Sequence, residues 1–331
     1  MRYTDVEPTA WTGRDDGPGT EHLRWHRAVE PLPEYAESGA GVLLGFRSDE
    51  GVRRNKGRPG AAEGPAALRR ALGPLALAAP IRVYDAGDVV VDGADLEQGQ
   101  YRLGAAATQL IDAGHLVTIL GGGHEVAYGS YLGVANSEYV AAGAHFGVLN
   151  LDAHFDLRAD ARPSSGTPFR QMADREREHG RRFDYAVLGI AQPSNTAALF
   201  ATAHDLGVKY LLDDDCTTAD PTGVESFVTD FLDTVDLLYL TIDLDVLPAA
   251  VAPGVSAPAA FGVPLDIVRR VCDLVAGSGK LALLDVAELN PALDIDDRTA
   301  RTAARLIHRT VTTSLARSTA APTDNGVHQE N

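Results

Sequence analysis

From residue 41 to about residue 313, short apolar runs alternate with stretches of helical spacing, and this alternation limits the fold more than any other feature of the chain. The runs at 41–46, 81–86, 115–120, 146–151, 184–190, 208–212, 236–242 and 280–286 read as buried strands. The segments 66–72, 98–113, 126–135, 169–179, 196–206, 224–234, 264–276 and 297–313 read as helices. Gly64-Pro65 opens the first helix, and Gly114 stops the second. Alternation of this length builds one mainly parallel sheet covered by helices. An open sheet with helices on both faces and a closed (β/α)₈ barrel accommodate the same count, and periodicity does not separate them. Residues 1–38, rich in Pro, Gly, Asp and Glu, read as an irregular arm with one short helix around 21–29. Residues 39–316 form a single domain, and 317–331 a polar tail.

Composition narrows the class. The chain has 331 residues, 45% of them hydrophobic, which is ample for a large core. A net charge of −17 excludes nucleic acid as the main partner, since phosphate binding needs a basic face. The same acidity supplies the oxygens that hard metal ions take as ligands. The two cysteines, Cys216 and Cys272, read as reduced thiols. The N-terminus has no apolar signal region and no run is long enough to span a bilayer, so no membrane partner and a cytoplasmic location are expected.

The chemistry lies where four of the apolar runs end. Residues 116–120 lead into Gly121-Gly122-Gly123-His124-Glu125, and 148–151 into Asp152-Ala153-His154-Phe155-Asp156-Leu157-Arg158. Residues 237–242 lead into Asp243-Leu244-Asp245, and 281–284 into Asp285-Val286-Ala287-Glu288-Leu289-Asn290-Pro291. In a parallel sheet all carboxyl ends share one edge, where ligands bind. Residues two apart in extended chain share a face, which groups Asp152, His154 and Asp156, and likewise Asp243 with Asp245. With His124 that makes two imidazoles and four carboxylates. Four buried negative charges need compensation, and two divalent cations provide it. Mixed carboxylate and imidazole ligation without thiolate favours Mn²⁺. A histidine after glycines or a lone Asp-x-Asp is ordinarily structural; three such motifs on the strand ends of one sheet are not. The Gly121–Gly123 run lacks the Gly-Lys-Ser/Thr of a phosphate loop.

At these residues the sequence resembles the ureohydrolase (arginase/agmatinase) family. The Gly-Gly-x-His, Asp-Ala-His-x-Asp, Asp-x-Asp and Glu-x-Asn-Pro motifs occur in order, with Pro253-Gly254 after the third. The resemblance covers about residues 40–315. It implies a three-layer α/β/α fold, two Mn²⁺ per subunit, amidine or guanidine hydrolysis and a homo-oligomer. It implies His124, Asp152, His154, Asp156, Asp243 and Asp245 as ligands, with Asp152 and either Asp243 or Asp245 bridging. Within the family, segments 48–58, 156–158, 165–169 and 245–248 most resemble the branch acting on N-formimidoyl-L-glutamate, giving glutamate and formamide in histidine degradation. Arginases carry Asn where Arg158 stands and His where Phe169 stands.

Glu288 and His154 are the candidate catalytic residues, Glu288 holding the amidinium nitrogen. Arg158, Ser165, Thr167, Gln192 and Asn195 are the candidate substrate contacts. A small dicarboxylate amidine needs cations, and Arg158 or the Arg53, Arg54, Lys56, Arg58 cluster supplies them. The rival readings are a guanidino-acid hydrolase of the same family, a non-catalytic metal-binding regulatory module and a binuclear phosphoesterase.

Overall fold

The computed structural model describes residues 4–8 and 10–320. Among them, nine strands form one parallel sheet: β1 (Val29–Pro31), β2 (Gly41–Arg47), β3 (Val83–Val90), β4 (Leu116–Leu120), β5 (Phe146–Leu151), β6 (Tyr185–Ile190), β7 (Lys209–Leu212), β8 (Leu237–Asp243) and β9 (Leu281–Ala287). Their order across the sheet is β1-β3-β2-β4-β9-β8-β5-β6-β7. With β1 and β7 at free edges, the sheet is open rather than a barrel.

Helices cover both faces, and the strands alternate accordingly. In β2, Leu43 joins the core on one side, while Val42, Leu44 and Phe46 join the core on the other. In β5, Leu149 and Leu151 face the first core, and Phe146 and Val148 the second. Both faces are apolar, so these strands read as continuous hydrophobic runs. Helices Gly64–Leu72, Leu265–Ser278 and Arg298–Ala320 pack on the first side. Helices Leu96–Asp112, Val126–Ala135 and Pro168–Glu178 pack on the second. The architecture is the three-layer α/β/α sandwich.

The terminal stretches depart in part from the sequence reading. Within residues 1–38, β1 pairs with β3, and Trp25 is fully buried and donates through its indole N–H to His308 Nδ1 at 2.8 Å. A three-residue edge strand ending in proline is too short to show a period. The single helix expected around 21–29 is two separate turns, Thr20–His22 and Trp25–Ala28. At the other end, residues 317–320 continue the last helix, and 321–331 lie outside the described residues.

Strand β3 runs four residues past its expected end, through Gly87, Asp88, Val89 and Val90. Arg69 makes that possible. Its guanidinium takes Asp85 bidentately at 2.8 Å and Asp88 at 2.6 Å, and all three side chains are buried. Trp11 also donates to Asp85, which ties the N-terminal stretch to the sheet. Removing the cation strands two buried carboxylates. Arg69→Met is therefore expected to cost about 3–5 kcal/mol of stability in urea unfolding. A loss below about 1 kcal/mol would mean the two acids find other compensation.

Candidate metal centre

The four strands with chemical text at their ends, β4, β9, β8 and β5, are contiguous at the centre of the sheet. The chain passes from β4 to β5 and only later fills the gap with β8 and β9. This is the kind of topological break at whose carboxyl edge ligands bind.

The convergence is sharper than strand alternation produces. Strand β5 ends at Leu151, and Asp152 then closes a tight turn by accepting the backbone N–H of His154 at 2.7 Å. Asp243, the last residue of β8, repeats the device and accepts the N–H of Asp245 at 2.8 Å. Such carboxylate-closed turns suit Asp at a strand end. Each spends one oxygen on the turn and leaves the other, Oδ2, facing His124. Asp156 reaches the same point by a left-handed backbone, φ 48°, so the shared face of Asp152, His154 and Asp156 comes from a bend and not from extended chain.

The six side chains are thus brought together. His124 Nδ1 lies 3.1 Å from Asp152 Oδ2, 3.0 Å from Asp156 Oδ2 and 3.1 Å from Asp243 Oδ2. His154 Nδ1 lies 3.5 Å from Asp152 Oδ1 and 3.1 Å from Asp245 Oδ2. Two triads able to hold an ion result, His124–Asp152–Asp243 and Asp152–His154–Asp245, each with its donor atoms within 4.8 Å of one another. Asp152 belongs to both, with one oxygen toward each.

Electrostatics supports the fit of cations here. Burial pushes the carboxyls of Asp156, Asp243 and Asp245 up; Asp152 reinforces this at Asp156, which reaches about 6, and Asp245 does so at Asp243. At Asp152 burial also opposes ionisation, but the bonds to His124 and His154 outweigh it and hold the carboxyl low. Among the described residues, these four acids pair with no Lys or Arg, only with the two imidazoles. Four oxygen donors and two Nδ1 atoms with no basic side chain among them match what paired divalent ions require.

Above this floor opens a cavity of about 420 Å³, lined by His124, His154, Asp156, Asp243, Asp245 and Glu288 below. Glu288, also left-handed at φ 68°, accepts the backbone N–H of His124 at 2.8 Å. Burial, reinforced by the charge of Glu125, pushes its carboxyl up to about 8. The rim carries Asn55, Lys56, Arg58 and Arg158. Arg158 has no ion-pair or side-chain hydrogen-bond partner among the described residues, and its stem lies over Gly166, where a Cβ would come within 2.8 Å of Arg158 Cδ.

Of the sequence-named substrate contacts, Arg158, Ser165 and Asn195 line the cavity. Thr167 does not: it is buried, with its hydroxyl bonded to Ser164 and Gln171 at the start of helix Pro168–Glu178. Gln192 is exposed and outside the cavity, on a single turn, Gln192–Ser194. Asn195 is committed to backbone partners, bonding the N–H of Phe155 and the carbonyls of Ala153 and Ala191. Within the basic cluster, Arg53 and Arg54 are turned away to Glu50, and Arg54 also to Glu97, which leaves Lys56 and Arg58 on the cavity. Asn55, Ser194 and Ser256 were not legible as site residues, because nothing in their local sequence ties them to the strand ends.

Comparison with known proteins agrees with this geometry. The arginase family profile matches residues 40–312. A formimidoylglutamase of Rhodococcus jostii is 62% identical over 307 residues, covering 93% of this chain and 96% of that protein. One from Nocardia farcinica is 64% identical over 302 residues, covering 91% and 96%. The crystal structure of Trypanosoma cruzi formiminoglutamase with two Mn²⁺ superposes with a TM-score of 0.74 at 27% identity, over 85% of this chain and 95% of that one. The chain belongs to the arginase family.

The shared position of Asp152 has a measurable consequence. Asp152→Ala is expected to lower bound divalent metal at both positions, whereas Asp245→Ala should empty mainly one. Elemental analysis after dialysis against Mn²⁺ reads the difference. Equal losses in the two variants would contradict a shared Asp152.

Proposed function

We propose that this chain is a binuclear manganese hydrolase that cleaves N-formimidoyl-L-glutamate to L-glutamate and formamide in histidine degradation. The observation that carries the reading is the pair of triads joined through Asp152 beneath a cavity with a cationic rim. A bound pair of Mn²⁺ ions supplies, from water, a nucleophile at neutral pH. His124, Asp152, Asp156 and Asp243 would hold one ion, and Asp152, His154 and Asp245 the other. His154 takes part in catalysis as a ligand at the cavity floor.

The chain's own residues orient the substrate. Glu288 is fixed by the N–H of His124 and lines the cavity. It accepts the amidinium nitrogen, whose charge favours the ionised form of this buried acid and keeps the amidine carbon over the floor. The substrate tail carries two carboxylates. Arg158, free of other partners, takes one in a two-point clamp, and Lys56 with Arg58 faces the other. A guanidino acid is the second reading. The three rim cations count against a cationic tail of the agmatine type. The proposal extends to a cytoplasmic homo-oligomer with residues 39–316 as its catalytic domain, the assembly to be read by sedimentation.

Product analysis tests the reaction. The metal-stripped protein, reloaded with Mn²⁺ and given N-formimidoyl-L-glutamate, should release formamide and glutamate in equal amounts. Ammonia with formylglutamate would reverse the direction of cleavage, and no product would end the substrate assignment. Glu288→Gln should lower kcat at least about 10²-fold with metal content unchanged. Arg158→Ala should raise KM roughly 10- to 100-fold, the loss of one charge-assisted clamp, and an unchanged KM would remove it from the site.

A further inference from the structure

The ring nitrogen of His124 that faces away from the metal site does not end in apolar packing. Nε2 lies 3.0 Å from Thr241 Oγ1, and both residues are buried. Thr241 sits on β8 two residues before Asp243, and its register partner across the sheet is Asp285 on β9. Asp285 is fully buried and meets no cationic side chain within ion-pairing distance among the described residues. Its Oδ2 accepts the hydroxyls of Ser130 at 2.5 Å and Tyr239 at 2.6 Å. Its Oδ1 is buried and has no hydrogen-bond partner among the described residues. Burial pushes the Asp285 carboxyl up, and the hydroxyls of Ser130, Thr241 and Tyr239 around it offset part of that shift.

We infer that Thr241 and Asp285 form a relay that positions His124, fixing its ring rotation and keeping Nδ1 as the lone-pair nitrogen toward the metal. The direction of the bonds follows from the groups present. Asp285 Oδ1, across the register from Thr241 and without another partner among the described residues, is the acceptor that the relay assigns to the Thr241 hydroxyl. Its oxygen is then left to accept, so Nε2 of His124 carries the proton and Nδ1 does not. A ligating imidazole needs that tautomer, and an acceptor on its outer nitrogen also raises its basicity. A buried polar patch that only stabilised the sheet would leave metal binding untouched.

The inference rests on the two-metal reading above, and it predicts a selective effect. His124 serves one triad and His154 the other, so loss of the relay should weaken one ion of the pair. Thr241→Val keeps the shape and removes the hydroxyl; Thr241→Ser keeps the hydroxyl. In Mn²⁺ titrations, Thr241→Val should bind one ion as the parent protein does and the second at least about 10-fold more weakly. Electron paramagnetic resonance should show the coupled pair giving way to isolated Mn²⁺. Thr241→Ser should restore both ions, and Asp285→Asn should repeat the Thr241→Val pattern. Two equally tight ions in Thr241→Val, or a loss that Thr241→Ser does not rescue, would overturn the relay. A parent protein that binds no pair of ions would instead overturn the reading of the site itself.

Discussion

Four carboxylates and two imidazoles converge at the carboxyl edge of the central strands, and the repulsion among those acids is the constraint the surrounding structure answers to. Two like charges within 4.8 Å of one another repel by at least about 3 kcal/mol even at an effective dielectric near 20. Several such pairs would unseat the loops that carry them. Four carboxylates and two divalent cations sum to zero charge, so loading relieves the burial and repulsion that push Asp156, Asp243 and Asp245 up. Metal binding and local folding of the strand ends are therefore one equilibrium.

Loop geometry shows how the chain holds this arrangement. The turns closed by Asp152 and Asp243 preset one oxygen of each and aim the other. Asp156 and Glu288 are held in left-handed backbone, a conformation that costs a non-glycine residue free energy and persists where neighbours enforce it. Glu288 is enforced by Gly122, whose carbonyl accepts its N–H at 2.8 Å. Gly122 in turn lies so close to Ser48 that a Cβ there would stand 1.9 Å from the Ser48 carbonyl oxygen. The glycine run before His124 thus brings three chain segments within backbone contact. It also explains why that run looks like a phosphate loop without the residues of one.

Sequence periodicity carried the layer architecture because the central strands are buried on both faces and most of the helices on one. It could not choose between open sheet and barrel, since closure depends on which strands pair and not on how many exist. The convergence of the six side chains was legible because every member sits within a few residues of an apolar run's end. The rim was only partly legible. Thr167 was named from its place in a motif and Gln192 from its loop after strand 184–190, but the hydroxyl of the first is used to start a helix and the second lies outside the cavity. Thr241 was hidden for the opposite reason: as a β-branched residue inside a strand it reads as core. Its meaning appears only when β8 and β9 are set side by side and Asp285 falls opposite it.

The rim also shows how an acidic protein of net charge −17 can select an acidic substrate. Most of its arginines near the site are already committed. Arg54 is clasped by Glu50 and Glu97, and Arg53 by Glu50. Arg58 bonds the carbonyls of Val255 and Ser256, which fixes its loop without neutralising its charge. Lys56, held at φ 63°, and Arg158, seated on Gly166, face the cavity with no acid paired to them among the described residues. Leaving cations unpaired in a carboxylate-rich chain requires that the available acids be kept at a distance. Here they are kept below, on the cavity floor, where Asp156, Asp243 and Asp245 turn toward the two imidazoles rather than the rim. Charge is thus separated by height within one cavity, anionic at the floor and cationic at the rim. A substrate carrying positive charge at one end and two negative charges at the other is oriented by that field before any contact is made.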